Sequence, residues 1–151
     1  MARFKGQAEY SVDSKGRVAI PAKMRAALSP AAKNTFTITR GIDRCIYLYA
    51  QDDWEGMEEK FSRLNAFRVE ERDFLRLTMM WAEDVTFDGQ GRIGIPRPLM
   101  EHAGVTDRAL IIGVLDRIEI WNPDEFAKRL ATAAADYEAL AERVMGGDGR
   151  Q

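Results

Sequence analysis

Short runs of alternating apolar and polar positions mark the start of the chain, and the same run returns in its second half. Tyr10-Ser-Val12 and Arg17-Val18-Ala19-Ile20 are β-prone and bracket Asp13-Ser-Lys-Gly16; Val85-Thr-Phe87 and Arg92-Ile93-Gly94-Ile95 bracket Asp88-Gly-Gln-Gly91. Each tetrad predicts a tight hairpin in which glycine supplies a positive φ. Pro21 and Pro96 end strands and open short helices over 22–28 and 97–103, since proline suits a first helical turn. The second of these, Arg97-Pro98-Leu99-Met100, is expected to be the less regular because a further proline interrupts it. Strand pairs follow at 36–38 with 46–49 and at 110–112 with 118–121. Asp52 is expected to cap a helix to about Leu64, and Asp124 one to about Met145. Between them, 68–83 reads as a helix with Val69, Phe74, Leu77, Met80 and Trp81 on its apolar side, a set suited to a core or an oligomer interface.

The recurrence is an internal repeat, which outranks other signals in reading a fold. Residues 13–21 read Asp-Ser-Lys-Gly-Arg-Val-Ala-Ile-Pro and residues 88–96 read Asp-Gly-Gln-Gly-Arg-Ile-Gly-Ile-Pro, 75 positions further on. Downstream, Gly41-Ile-Asp43-Arg44-Cys-Ile46-Tyr-Leu48-Tyr49 is echoed by Gly113-Val-Leu-Asp116-Arg117-Ile118-Glu-Ile120-Trp121. Two copies are too few for a solenoid, and half of a 151-residue chain is marginal alone. The expectation is therefore a pseudo-twofold α+β protein in which each half completes the other. Its units are 1–81, a first repeat with connecting helices, and 82–145, a second repeat with a C-terminal helix; 146–151 is a glycine-rich tail not expected to order by itself.

The net charge of −2 hides an asymmetry: residues 1–40 carry eight basic side chains against two acidic ones, while the rest of the chain is acidic. A basic face on an acidic body is the footprint of polyanion binding. No apolar run approaches the roughly 20 residues of a membrane span, and the opening Met1-Ala-Arg-Phe-Lys-Gly6 lacks a signal peptide's apolar stretch. Cys45 is the sole cysteine and His102 the sole histidine, which leaves no disulfide framework and no zinc cluster. Phosphate-cradling glycine motifs are missing as well. These features argue for the cytoplasm and against an enzyme; no cofactor or metal is expected.

The Asp13-x-Lys15-Gly16-Arg17-x-x-Ile20-Pro21 string resembles the signature of the MraZ family and of the wider AbrB-like group. The family carries the motif twice and typically loses the lysine in the second copy, as Gln90 does here; Phe4-Lys-Gly6 and Gly104 also fit. The resemblance implies two tandem AbrB-like swapped-hairpin half-units forming a pseudo-twofold small barrel with peripheral helices. It further implies a nucleoid-associated transcriptional regulator that binds repeated boxes of double-stranded DNA upstream of its own division and cell-wall operon. Ring-shaped homo-oligomers would display several such faces, and an operon-encoded methyltransferase is admissible as a partner.

A mechanism built from the residues agrees. Lys15 and Arg17 on a tight turn can reach phosphates or guanine edges, with Gln90 and Arg92 as their counterparts, and Lys5, Lys23 and Arg25 can hold the backbone. Asp13 and Asp88 are read as structural partners of the arginines, and Arg44 and Arg117 as members of structural or inter-subunit pairs. The alternative reading is an oligomeric protein-interaction scaffold, for which Arg17 would be dispensable. An antitoxin role fits less well, because such proteins usually carry one copy and a longer tail.

Overall fold

The computed structural model describes residues 1–146; of the tail expected over 146–151, residues 147–151 lie outside the described residues. The first half runs β1 (Gln7–Ser11), β2 (Arg17–Ala19), α1 (Ala22–Ala26), a single 3-10 turn at Pro30–Ala32, β3 (Thr35–Arg40) and β4 (Ile46–Ala50). Helices α2 (Gln51–Phe61) and α3 (Val69–Met79) connect it to β5 (Glu83–Thr86), β6 (Arg92–Gly94), α4 (Arg97–Ala103), β7 (Arg108–Val114) and β8 (Arg117–Trp121). Helices α5 (Pro123–Ala135) and α6 (Tyr137–Met145) follow.

The strands flanking each tight turn do not pair with each other, contrary to the hairpins expected. One ladder bond crosses the first turn, from Asp13 N–H to the Arg17 carbonyl, but the next amide, Val12, donates to Asp107. From there β1 pairs antiparallel with β7, β5 pairs with β3, and β2 pairs with β6. All three pairings join one half to the other. The result is an open six-stranded sheet, β1-β7-β8-β4-β3-β5, plus the two-stranded ribbon β2-β6. Among the described residues no pairing joins the edges β1 and β5, so the small barrel of the sequence reading is replaced by an open antiparallel sheet beside a ribbon.

The repeat appears as symmetry. In the ribbon Val18 faces Ile93, its own counterpart, and at the sheet centre Tyr47 faces Glu119, again its own counterpart. One continuous core takes residues from both halves, among them Val18, Ile20, Phe36, Ile38 and Leu48 with Ile93, Leu99, Ile111, Ile118 and Ile120. Each such fully buried side chain contributes about 1.5–3 kcal/mol of transfer free energy. The opposite face of the sheet carries Tyr47, Tyr49, Leu110 and Trp121, covered by Trp54 of α2 and Phe126 of α5. There the buried Glu119 accepts from Trp121 Nε1 at 2.8 Å and pairs with Arg117, whose guanidinium lies 4.7 Å from the Tyr47 ring centre.

Several local expectations are corrected. Asp52 does not cap α2: the chain passes from β4 into the helix at Ala50, and the Asp52 carboxylate accepts from Ser29 Oγ. Asn122, not Asp124, caps α5, accepting from the amides of Asp124 and Glu125, with Pro123 in the first turn. The single long C-terminal helix is two, divided at Asp136. Helix α3 ends earlier than expected, and its Val69, Phe74 and Leu77 are exposed, as is Met80 beyond its end; Trp81 packs on the core. Helix α4 is regular over its full expected length, because Pro98 falls within the first turn, where its missing N–H costs nothing.

Candidate nucleic-acid interface

Both tetrads fold into the same turn. The Asp13 carboxylate accepts the amides of Lys15 and Arg17, each at 2.9 Å, and the Asp88 carboxylate accepts those of Gln90 at 2.9 Å and Arg92 at 3.0 Å. The second carboxylate oxygen takes the arginine Nε, at 2.7 Å for Arg17 and 3.0 Å for Arg92. The Arg17 amide, outweighing slight burial, lowers the Asp13 carboxyl to about 2, with the Arg17 guanidinium and the Lys15 amide adding to it. Asp88 is lowered in the same way, first by the Arg92 amide. These aspartates brace the arginines, as expected; Arg17 keeps both terminal amino groups, and Arg92 its Nη2, for an external acceptor.

The ribbon sets the two turns in one frame. Val18 and Ile93 point into the core, so Arg17, Ala19, Arg92 and Gly94 form the outward row. Register places Arg17 beside Gly94 and Arg92 beside Ala19, so each arginine lies against a small residue and the two sit diagonally across the axis. Arg92 also reaches the other half's turn, with Nη1 3.5 Å from Asp13 Oδ2. Reciprocal backbone bonds of 2.9 Å, Ile20 N–H to Gly91 and Ile95 N–H to Gly16, tie each half's strand end to the opposite turn.

Lys15 and Gln90 are exposed at the two turn tips, and Lys23 is exposed on α1 beside the second turn. Lys5 is exposed but not with them. It lies at the far end of β1, where Phe4 and Leu115 exchange backbone bonds, about 25 Å of extended chain from the first turn. Arg25 is half-buried, and its Nε donates to the Ile20 carbonyl at 3.0 Å. Arg97, which sequence reasoning passed over, is exposed on α4 and lines a cleft of about 650 Å³ with Asp13, Lys15, Gly16 and Met100. Its position directly after the second Ile-Pro was the available signal. Away from this face, Arg117 pairs with Asp116 and Glu119, while Arg44 is exposed.

These features define a pseudo-twofold α+β protein that presents a braced, arginine-bearing β-ribbon made jointly by two copies of one motif. Residues 3–77 and 79–147 each match the family described as "MraZ protein, putative antitoxin-like". The chain belongs to the MraZ family. It is 39% identical over 142 residues to "Transcriptional regulator MraZ" of Pelotomaculum thermopropionicum, covering 94% of this chain and 95% of that one. A relative of the same name from Natranaerobius thermophilus is 36% identical over 145 residues, covering 96% and 99%. That of Desulforamulus reducens is 35% identical over 142 residues, covering 94% and 97%.

Proposed function

We propose that this protein is a sequence-specific DNA-binding transcriptional regulator whose β2-β6 ribbon enters the major groove. The observation that carries this reading is the outward row of the ribbon, two braced arginines against two small residues. A major groove about 12 Å wide admits a two-stranded ribbon, and an arginine fork on guanine O6 and N7 is the commonest specific contact. Arg17 and Arg92 read bases; Lys15, Gln90, Lys23 and Arg97 engage phosphates or neighbouring edges. The printed names of the relatives support regulation of transcription. The interleaved pairing supports treating 1–81 and 82–145 as swapped-hairpin half-units of the AbrB-like kind.

One ribbon makes few contacts, so tight binding needs several faces on one DNA. The exposed Val69, Phe74, Leu77 and Met80 are in keeping with a homo-oligomer, and repeated boxes upstream of the protein's own operon are its natural target. The test is an anisotropy titration with that upstream DNA, wild type against Arg17→Ala, across a salt series. Arg17→Ala should lose roughly 5- to 150-fold in affinity, the worth of one forked base contact. Unchanged affinity in a folded variant would refute the assignment. A wild type that fails to bind, with its oligomeric state verified, would shift the weight to a protein-interaction scaffold.

A further inference from the structure

We infer that Arg25 serves DNA recognition as a positioning residue, a latch holding the second turn, and not as a phosphate contact; this rests on the reading of the ribbon as the DNA face. Its side chain crosses from one half to the other. A methyl group placed on Gly91 would lie 2.6 Å from Arg25 Cζ and 2.7 Å from its Nε, so the guanidinium rests directly on the turn that presents Gln90 and Arg92. The same guanidinium lies 5.6 Å from the ring centre of Phe87, just ahead of that turn, and Nε is anchored on the Ile20 carbonyl. Ile20 in turn donates its amide to Gly91. The second turn is thus clamped between a planar cation and the backbone of the opposite half.

The repeat identifies the role. Position 100 is the counterpart of position 25, and there stands Met100, whose Sδ lies 3.2 Å from where a methyl on Gly16 would sit. Each short helix therefore lays one side chain over the other half's turn glycine. One latch is a cation and the other a thioether, so the shared property is shape and contact, not charge. A phosphate ligand would show the opposite pattern, keeping charge and tolerating variation in shape.

That contrast provides the test, made on the full-length protein with Arg25→Ala, Arg25→Met and Arg25→Lys. Amide hydrogen exchange of Gln90, Gly91 and Arg92 is read by NMR, and affinity for the upstream DNA by anisotropy over a salt series. Arg25→Ala should speed exchange at these three amides about tenfold while Lys15, Gly16 and Arg17 stay unchanged, because only the second turn loses its cover. Arg25→Ala should weaken DNA binding without altering the slope of log affinity against log salt. Arg25→Met, which copies the other latch, should restore both properties; Arg25→Lys should not. Rescue by lysine and not by methionine, with a slope reduced by about 0.9 for one lost phosphate, would overturn the inference. If neither rescues, the exchange result decides: loosened turn amides uphold the latch, and unchanged ones overturn it. If the wild type itself binds no DNA, the reading of the ribbon fails, and the same exchange measurement still decides what Arg25 does to the turn.

Discussion

Replacing Gly91 by alanine tests the close approach of the two halves most directly. Gly91 has φ +75°, and an L side chain in that left-handed region costs about 1–2 kcal/mol. The new methyl would also occupy the place of the Arg25 guanidinium, which has to leave. In leaving, it forfeits its hydrogen bond to Ile20, worth about 1 kcal/mol net, and its position on Phe87, worth about 0.5–1 kcal/mol. The sum is about 3 kcal/mol. Gly89 is the internal control, since it lies in the same turn with open space around it and no positive φ; Gly89→Ala should stay within about 0.5 kcal/mol of wild type. The assay is urea unfolding followed by tryptophan fluorescence at fixed protein concentration, with thermal melts in parallel. For a chain of this size about 3 kcal/mol corresponds to roughly 6–12 °C in Tm. In the double variant Gly91→Ala with Arg25→Ala, the displacement cost disappears and the left-handed cost remains, so the two changes should be sub-additive by about 1–2 kcal/mol. Equal effects of Gly91→Ala and Gly89→Ala, or strict additivity in the double variant, would refute the reasoning.

Three further outcomes follow from local geometry. Asp13 has its carboxyl lowered to about 2, so its contribution to stability is complete above about pH 4 and is lost as pH falls towards 2; Asp88, lowered in the same direction, contributes with the same sign. The Tm gap between wild type and Asp13→Asn should be constant from pH 5 to 9 and close near pH 2; a gap unchanged at pH 2 would contradict this. The Cys45 thiol is buried, and burial, followed by the charges of Glu119 and Asp43, pushes it far above its ordinary range. A disulfide reagent at pH 8 should label it only after unfolding, and labelling of the native protein at the rate of a free thiol would count against the described packing. Asn122→Ala removes the cap of α5 and should cost about 1 kcal/mol by urea unfolding, whereas Asp124→Ala should cost less.

The repeat made much of this legible. Matching strings 75 positions apart announced two equivalent turns, and the β-prone runs at 17–20 and 92–95 located the strands of the ribbon. Partner choice was not legible. A period of two records which face is buried and is silent on which strand lies alongside, so local hairpins were expected where the ladder crosses between halves. The α5 cap was readable, since Pro123 at a first helical position points to Asn122 rather than Asp124. The break at Asp136 carried no such mark, as neither proline nor glycine stands there. In the site, Lys15, Arg17, Gln90 and Arg92 share the ribbon and its turns as the motif implied, whereas Lys5 is separated from them by the length of β1. Arg25 and Met100 share no chemistry that a pattern search would align. The repeat offset sets them at equivalent positions, but their common role emerges only when each is seen lying on a glycine of the opposite turn.

At the centre of the sheet, Tyr47 faces Glu119, and Arg117 stacks on the first while pairing with the second. Were the two halves separate identical chains, whatever stood at that position would have to face a copy of itself. Glutamate would then meet glutamate in a buried setting, and tyrosine would meet tyrosine with no acid for the nearby indole and guanidinium. Joining the halves covalently lifts this demand for self-complementarity. The residues on the axis are free to differ, and a charge that a homodimer could bury there only against its like becomes a hydrogen-bonded partner of Trp121 and Arg117.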